Sequence, residues 1–232
     1  GAGERRILVR GELLRSPAWS PDGQKIAFSH VTGENRCRYA GYIICFPDKF
    51  PYNLPAPYGL PLVTNDSWGL ARVDVNGGSY QDLATQPNAI TPSWSSHGIL
   101  YGSSADFYGG AGIHLTQDAA GDNQKAAVAS ELRYQDPAGQ IDGDRVVFQS
   151  QEKDHWEVFA VNVDGSGLAA LTHPDNLASP LPHNVSPAWS PDGRNVVFLS
   201  NRTGEWRLWV MDAGGSNQRQ LPVEITIEYN YQ

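Results

Sequence analysis

Apolar and polar residues alternate in short runs along this chain, and Gly, Pro and Asp separate the runs. Residues 26–29, 146–148 and 196–200 are apolar runs of strand length, and residues 206–212 carry alternating apolar positions. Such runs between turn residues are typical of β-strands. No stretch has the spacing of a long amphipathic helix; residues 126–132 come nearest and fit better as a strand plus a connection. The pattern therefore predicts an all-β fold.

One eight-residue segment occurs twice. Residues 16–23 read Ser-Pro-Ala-Trp-Ser-Pro-Asp-Gly, and residues 186–193 repeat the same eight letters. Residues 136–143 align with the second copy after a shift of 50 residues without a gap, although Gly139 replaces the Trp. Residues 91–98 are a further copy with a shorter turn. Four copies in one chain indicate a repeat architecture.

Each unit predicts four short strands, and four-stranded units of about 45 to 50 residues arranged radially make a β-propeller. We place the units at residues 16–85, 86–130, 131–175 and 182–221, within a single domain spanning 1–232. Further strands are expected at residues 4–10 and 222–232, in blades that are incomplete. The ring is therefore predicted to have five blades, or to be a fragment of a larger ring, and the incomplete blades predict self-assembly through strand exchange.

The first unit carries an insertion at residues 33–66, which shifts its second half relative to the other units. Its Pro- and Tyr-rich part, residues 46–61, is expected to be an ordered surface excursion without regular structure. Both cysteines of the chain, Cys37 and Cys45, lie in this insertion. Two cysteines closing a short loop predict a disulfide and an oxidising compartment, with a pair of free thiols as the alternative.

Composition excludes some classes of partner. The formal net charge is −8, and the chain has only 4 Lys beside 13 Arg, which argues against a basic face for nucleic-acid phosphates. No apolar run approaches the length of a transmembrane helix. We therefore predict neither a nucleic-acid partner nor a transmembrane segment.

The repeat motif resembles that of the TolB-like β-propellers, the PD-type relatives of WD repeats. The resemblance rests on residues 186–193 and the runs that follow at 196–202 and 206–212, and it covers four units from about 16 to 221. It implies an extracytoplasmic protein, in the periplasm or at the cell surface, that binds protein partners across the faces of the ring. The repeats of that family are structural, so the resemblance implies no catalytic residue.

We predict no catalytic, cofactor-binding or metal-binding residues from the sequence motifs. Gly165-Ser166-Gly167 is a hairpin turn rather than a nucleophile elbow. Asp22, Asp142 and Asp192 recur with the repeat, so we interpret them as turn residues. The ring position at residues 20, 95, 140 and 190 reads Ser, Ser, Gln and Ser, without the paired carboxylates of a glycosidase.

Aromatic residues supply the remaining candidates. The tryptophans at repeat positions, Trp19, Trp94, Trp156, Trp189 and Trp206, are predicted to lie in the core between blades. Four tyrosines lie in the insertion outside the repeat: Tyr39, Tyr42, Tyr52 and Tyr58. Tyr is favoured at interfaces, so these four are candidate partner-binding residues, unless they only pack the insertion onto its own blade.

The sequence thus favours a non-enzymatic scaffold or protein-binding propeller, as a subunit of a cell-surface or envelope assembly. One alternative is the accessory propeller of a multidomain hydrolase, whose catalytic residues would lie elsewhere. Another is a carbohydrate- or ion-binding propeller, which requires polar groups converging in the central channel.

Overall fold

The computed structural model describes residues 14–39, 43–47, 62–83, 85, 88–103, 111–118, 125–131, 134–173 and 180–223. Within these residues the secondary structure is entirely β, arranged as four antiparallel sheets that follow one another along the chain. Each sheet is one blade, because its strands are paired in chain order, apart from one extra strand in the first sheet, and each blade begins at one copy of the repeat motif. The predicted all-β propeller is confirmed.

The strand bounds of the four blades are as follows. Blade 1 contains β1 (Arg15–Trp19), β2 (Lys25–Tyr39), β3 (Ile43–Pro47), β4 (Leu62–Asp74) and β5 (Gln81–Asp82). Blade 2 contains β6 (Ala89–Ser95), β7 (Gly98–Ser103), β8 (Gly112–Thr116) and β9 (Lys125–Ala129). Blade 3 contains β10 (Tyr134–Gly139), β11 (Arg145–Glu152), β12 (His155–Asn162) and β13 (Ala169–Ala170). Blade 4 contains β14 (Asn184–Trp189), β15 (Asn195–Ser200), β16 (Arg207–Asp212) and β17 (Arg219–Gln220).

The Pro-Asp-Gly turn is held by its own side chains. Asp22 Oδ1 accepts hydrogen bonds from Ser20 Oγ at 2.6 Å and from the backbone N–H of Gln24 at 3.0 Å. Gly23 takes a φ of +68°, which residues with a Cβ rarely adopt. The copy at Asp192 has the same arrangement. Asp22 and Asp192 are therefore turn residues, as their recurrence indicated, whereas the same role for Asp142 stays a prediction.

Most of the apolar core lies between blades, and a smaller buried cluster is formed by Phe28, Ala71 and Val73 of blade 1. One cluster joins blade 1 to blade 2 through Ala27, Leu70 and Leu83 on one side and Trp94, Ile99 and Tyr101 on the other. A second joins blades 2 and 3 around Leu100 and Phe148, and a third joins blades 3 and 4 around Val147 and Phe198. Each blade thus buries one face against its neighbour, which is the basis of stability in a repeat fold.

The degenerate third repeat gains contacts with blade 4. Gln140 occupies the position held by Ser in the other copies, and its Nε2 donates to the Gly193 carbonyl of blade 4 at 3.1 Å. Arg145 donates from Nη1 to the Ala213 carbonyl at 2.7 Å. Loss of the motif in blade 3 is therefore accompanied by side-chain hydrogen bonds between blades 3 and 4.

The insertion extends the strands of blade 1. Strands β2 and β4 pair out to Arg38 opposite Leu62, with one shift of register between Val31 and Gly33, and β3 pairs with the outer part of β2. The expected irregular excursion was wrong at its start, because Phe46 and Pro47 end strand β3. Pairing of the strands satisfies their backbone N–H and C=O groups in a ladder, so the hairpin continues beyond the blade. Residues 48–61 lie outside the described residues.

Both predicted terminal strands fall outside the part of the chain that the structure describes, at residues 4–10 and 224–232. Val223, which we expected at the start of the last strand, is described and lies outside any strand. The choice between a five-bladed ring and a fragment of a larger ring therefore stays a prediction.

Candidate functional site: the central cavities

The first strands of the four blades lie next to one another. Strand β1 contacts β6, β6 contacts β10, and β10 contacts β14. Two neighbouring cavities are lined by residues of all four first strands. The motif copies thus surround the centre of the propeller.

Every first strand has an irregularity at the same position. The register of pairing to the second strand shifts at the motif's first residues in each blade. The residue before the motif's first Pro has a φ near +50° in all four copies: Ser16 (49°), Thr91 (50°), Asp136 (51°) and Ser186 (51°). These are non-glycine residues in the left-handed region, each directly before a proline. We call these four residues with their prolines the proline ring.

The proline ring lines an open, shallow cavity of about 240 Å³. Its lining consists of four pairs: Ser16 and Pro17, Thr91 and Pro92, Asp136 and Pro137, and Ser186 and Pro187. The lining is therefore apolar at the prolines and polar at Ser16, Ser186 and Asp136, whereas the Thr91 hydroxyl is buried within the protein.

Asp136 is the ionisable member of this lining. Burial raises the pKa of its carboxyl group above the ordinary value, and the neighbouring Thr91 hydroxyl acts in the opposite direction with a smaller effect. Removing a carboxylate from water disfavours its charged form. Burial in the proline ring therefore disfavours the charged form of the Asp136 carboxyl group.

A second cavity, of about 370 Å³, lies at the Trp end of the first strands. It shares Pro92 and Pro137 with the proline ring, so the two cavities adjoin. Its walls carry three aromatic side chains, Trp19, Trp94 and Trp189. We call these three tryptophans and Ile141 the aromatic mouth.

The three tryptophans of the mouth differ in burial although they hold equivalent positions. Trp94 is 9% exposed and packs in the core between blades 1 and 2. Trp189 is half-buried, and its Nε1 donates to the Ala138 carbonyl of blade 3 at 3.1 Å. Trp19 is 61% exposed, so the prediction that it lies in the core was wrong. The reason is that no described blade precedes blade 1, whereas blades 1 and 3 cover Trp94 and Trp189.

A separate buried polar cluster lies between blades 3 and 4. Glu157 is 2% exposed and accepts hydrogen bonds from Thr172 Oγ1 and, at 2.9 Å, from Asn184 Nδ2. His155 Nε2 lies 3.4 Å from Glu157 Oε1, and Arg202 donates to Asn184 Oδ1 at 2.7 Å. Burial raises the pKa of the Glu157 carboxyl group despite these partners. The cluster links the two blades by polar contacts.

The arrangement does not resemble a metal centre. Among the described residues, no group of three His, Cys, Asp or Glu side chains could hold a metal ion. Asp118 forms ion pairs with Lys25 and Arg72 of blade 1, and Asp144 lies 2.8 Å from His97 Nε2. These charged groups join neighbouring blades.

The cysteines predicted to pair are opposite each other in the ladder. Cys37 in β2 and Cys45 in β3 are register partners in an antiparallel pair. Directly opposite residues have Cα atoms about 4.5–5.5 Å apart, which lies within the range that a disulfide spans. The backbone register is therefore compatible with the bond, which stays a prediction.

Of the four candidate tyrosines, Tyr39 ends strand β2. Tyr42, Tyr52 and Tyr58 lie outside the described residues. Their predicted role in partner binding stays a prediction. The proline ring was not predicted from the sequence. One feature of the sequence indicates it, because a polar residue precedes the first Pro in every motif copy.

Comparison with known proteins agrees with this architecture. The chain resembles several solved structures, among them a TolB and two peptidases. It aligns with a structure described as TolB from Agrobacterium tumefaciens at 19% identity and a TM-score of 0.66, covering 94% of this chain and 65% of that one. It also aligns with a puromycin-hydrolyzing peptidase from Mycobacterium tuberculosis, at 15% identity and a TM-score of 0.60, covering 97% and 32%. An acylaminoacyl peptidase from Pyrococcus horikoshii gives 11% identity and a TM-score of 0.56, covering 92% and 32%.

These likenesses define the class of fold, a β-propeller, and the chain spans less than two thirds of each of these structures. No curated protein sequence matches the chain. The family model of the TolB beta propeller domain, PD40, matches residues 62–231. The chain therefore belongs to the TolB β-propeller family, as the motif resemblance predicted. No helix among the described residues is long and apolar enough to cross a membrane.

Proposed function

We propose that this chain is a non-enzymatic propeller module that binds a protein partner at the centre of its ring. The observation that carries the proposal is the aromatic mouth, a concave site with an exposed Trp19 at its rim. Exposed aromatic side chains in a partly apolar concavity are typical of binding sites, and Trp is enriched among residues that dominate binding energy. A cavity of about 370 Å³ accommodates one or two side chains of a partner segment.

The mouth has the features of a preformed site. Trp94 is fixed by the core between blades, and Trp189 by its hydrogen bond to Ala138. Because these rings are already ordered, a partner that contacts them loses little side-chain entropy from this chain. Trp19 supplies the larger exposed surface, so we expect it to contribute most to affinity.

We propose further that the module works outside the cytoplasm, in the periplasm or at the cell surface. Support comes from membership of the TolB β-propeller family and from the register of Cys37 opposite Cys45, which suits a disulfide. The four insertion tyrosines would then extend the binding surface beyond the ring.

Self-assembly remains part of this proposal. The outer face of blade 4 carries apolar residues that are half-buried: Val197, Leu208, Val210 and Leu221. Their equivalents in blade 3 are at most 5% exposed, because blade 4 covers them: Val147, Val158, Ala160 and Leu171. An apolar blade face of this composition favours contact with another blade, such as blade 1 of a second copy.

A second candidate function is the accessory propeller of a multidomain hydrolase. It is favoured by the likeness to two peptidases, of which the chain spans 32% in each case. In that case the catalytic residues would lie in a separate domain, and the central cavities would face that domain or its substrate.

The test is selection of peptides from a random-peptide phage library against the whole folded chain. Trp19→Ala should weaken the selected peptides at least about tenfold, equivalent to about 1.4 kcal/mol. Tyr80→Ala is the matched control, because Tyr80 is also an exposed aromatic residue (49%) but lies outside the mouth. Failure to select any peptide, or equal loss in both variants, would contradict binding at the mouth.

A further inference from the structure

Among the described residues that line the proline ring, Asp136 is the one ionisable group. The other members of this lining are four prolines and the hydroxyl residues Ser16, Thr91 and Ser186. These described residues supply hydroxyl oxygens and apolar ring surfaces and carry no positive charge. A ligand that complements this site must therefore bring one positive charge and an apolar body.

Asp136 is the residue through which the site favours a positively charged ligand. Burial already raises the pKa of its carboxyl group, because the charged form is poorly solvated there. A cation placed beside the carboxylate would restore a favourable partner and lower that pKa. The chain as a whole carries a net charge of −8, which also attracts cations toward it.

The dimensions and chemistry favour a long amphipathic side chain over a bare ion. Lysine and arginine carry a cationic head on a flexible aliphatic stem that readily covers apolar surface. The proline rings would contact the stem, while the Asp136 carboxylate and the hydroxyls of Ser16 and Ser186 would accept hydrogen bonds from the head. A divalent metal requires several charged or carbonyl ligands, whereas the lining offers a single carboxylate.

We propose that the proline ring accepts one lysine or arginine side chain of the protein partner, with Asp136 as its counter-ion. This inference rests on the proposed protein-binding function and adds the residue type that the partner inserts. The partner segment would place its cationic residue in the proline ring and an apolar or aromatic residue in the adjoining mouth, since Pro92 and Pro137 border both cavities.

The experiment measures binding of Nα-acetyl-lysine methylamide and Nα-acetyl-arginine methylamide to the whole chain by NMR titration. Nα-acetyl-norleucine methylamide is the neutral control, because it keeps the stem and lacks the charge. We expect at least one cationic probe to bind about tenfold more tightly than the neutral one, with affinity rising with pH as Asp136 loses its proton. Equal binding of the neutral probe, or no binding of either cation, would overturn the proposal.

Asp136→Asn is the decisive variant. Asn tolerates a positive φ well, so the variant keeps the backbone conformation of +51° at this position. Asp142→Asn makes the same charge change in the exposed turn of the same blade and is the matched control. Asp136→Asn should weaken cation binding at least about tenfold and remove its pH dependence, whereas Asp142→Asn should leave both unchanged.

The outcome separates this inference from the proposed function. If library peptides still require Trp19 but bind Asp136→Asn as tightly as the natural chain, the mouth binds a partner and the cation site is refuted. If the lysine or arginine probe binds through Asp136 while no peptide requires Trp19, the cation site stands and binding at the mouth is refuted. Loss of probe binding in Asp142→Asn to the same extent as in Asp136→Asn would show that net charge alone attracts the probe and would overturn the proposal.

Discussion

Trp19 and Trp94 provide a quantitative test of which blade faces are covered. Both hold the same position of the repeat, yet Trp19 is 61% exposed and Trp94 is 9% exposed. Replacing a buried Trp with Ala costs about 3–5 kcal/mol, so Trp94→Ala should destabilise the fold by that amount. About 0.9 of Trp94 and about 0.4 of Trp19 is buried. Because the cost of the substitution follows the buried apolar area that is lost, the ratio of these fractions gives about 1–2 kcal/mol for Trp19→Ala.

The assay is denaturant unfolding of the natural chain and both variants, followed by far-ultraviolet circular dichroism. This signal reports mainly the strands and depends less on the number of tryptophans than fluorescence does. We expect the midpoint to fall markedly further in Trp94→Ala than in Trp19→Ala, with a difference of about 2 kcal/mol in unfolding free energy. An equal loss in both variants would refute the reasoning, because it would mean that another blade covers Trp19 in the native protein.

Four further predictions follow from single contacts. Burial raises the pKa of Glu157 above its ordinary value of 4.5, so the stability that its neutral form contributes is present below pH 4.5 and is lost as pH rises through the folded-state pKa. The Glu157→Gln variant should therefore become more stable relative to the natural chain as pH rises from 4 to 7 in thermal melts. A stability difference that does not change with pH would contradict this. Cys37 and Cys45 should resist alkylation in the natively purified protein until a reductant is added, as measured by intact mass. A disulfide that closes this loop of about nine residues should contribute about 2.5 kcal/mol to the free energy of unfolding. Alkylation of both thiols in unreduced protein would exclude the bond. Gly98→Ala should lower the free energy of chemical unfolding by about 2 kcal/mol or more, because Gly98 has a φ of +128° and a Cβ there would lie 2.6 Å from the Thr116 carbonyl oxygen. Gly214→Ala is the control: a Cβ at Gly214 would have no atom within 4 Å, so this variant should change the free energy by less than about 0.5 kcal/mol. Leu221→Asp on the outer face of blade 4 should reduce the concentration-dependent association measured by analytical ultracentrifugation. Tyr80→Asp also places a charge on an exposed site, but it should leave this association intact. A natural chain that is monomeric at all concentrations would refute self-assembly.

The candidate site was only partly predictable from the sequence. Ring positions were sought at residue 20 and its equivalents, where the side chains instead hold the turns, as Ser20 does by bonding Asp22. The cavity is lined four residues earlier, where Asp136 stands among Ser and Thr. Strand alternation shows which residues share a face, but it does not say which end of a strand lines the centre, because that depends on the packing of other blades.

The sequence by itself determined the strands, the turns and the repeat. These features depend on short-range chemistry, such as alternation along a strand and the Ser, Asp and Gly that close residues 20–23, so eight identical letters give the same turn in blades 1 and 4. Only the tertiary structure decided burial. Trp19 and Trp189 lie in identical octapeptides, yet one is exposed and the other bonds to Ala138, because burial is set by whichever blade lies in front and not by the local sequence. The same reason explains why a lone carboxylate, Asp136, acquired a raised pKa and a candidate role that no local pattern indicated.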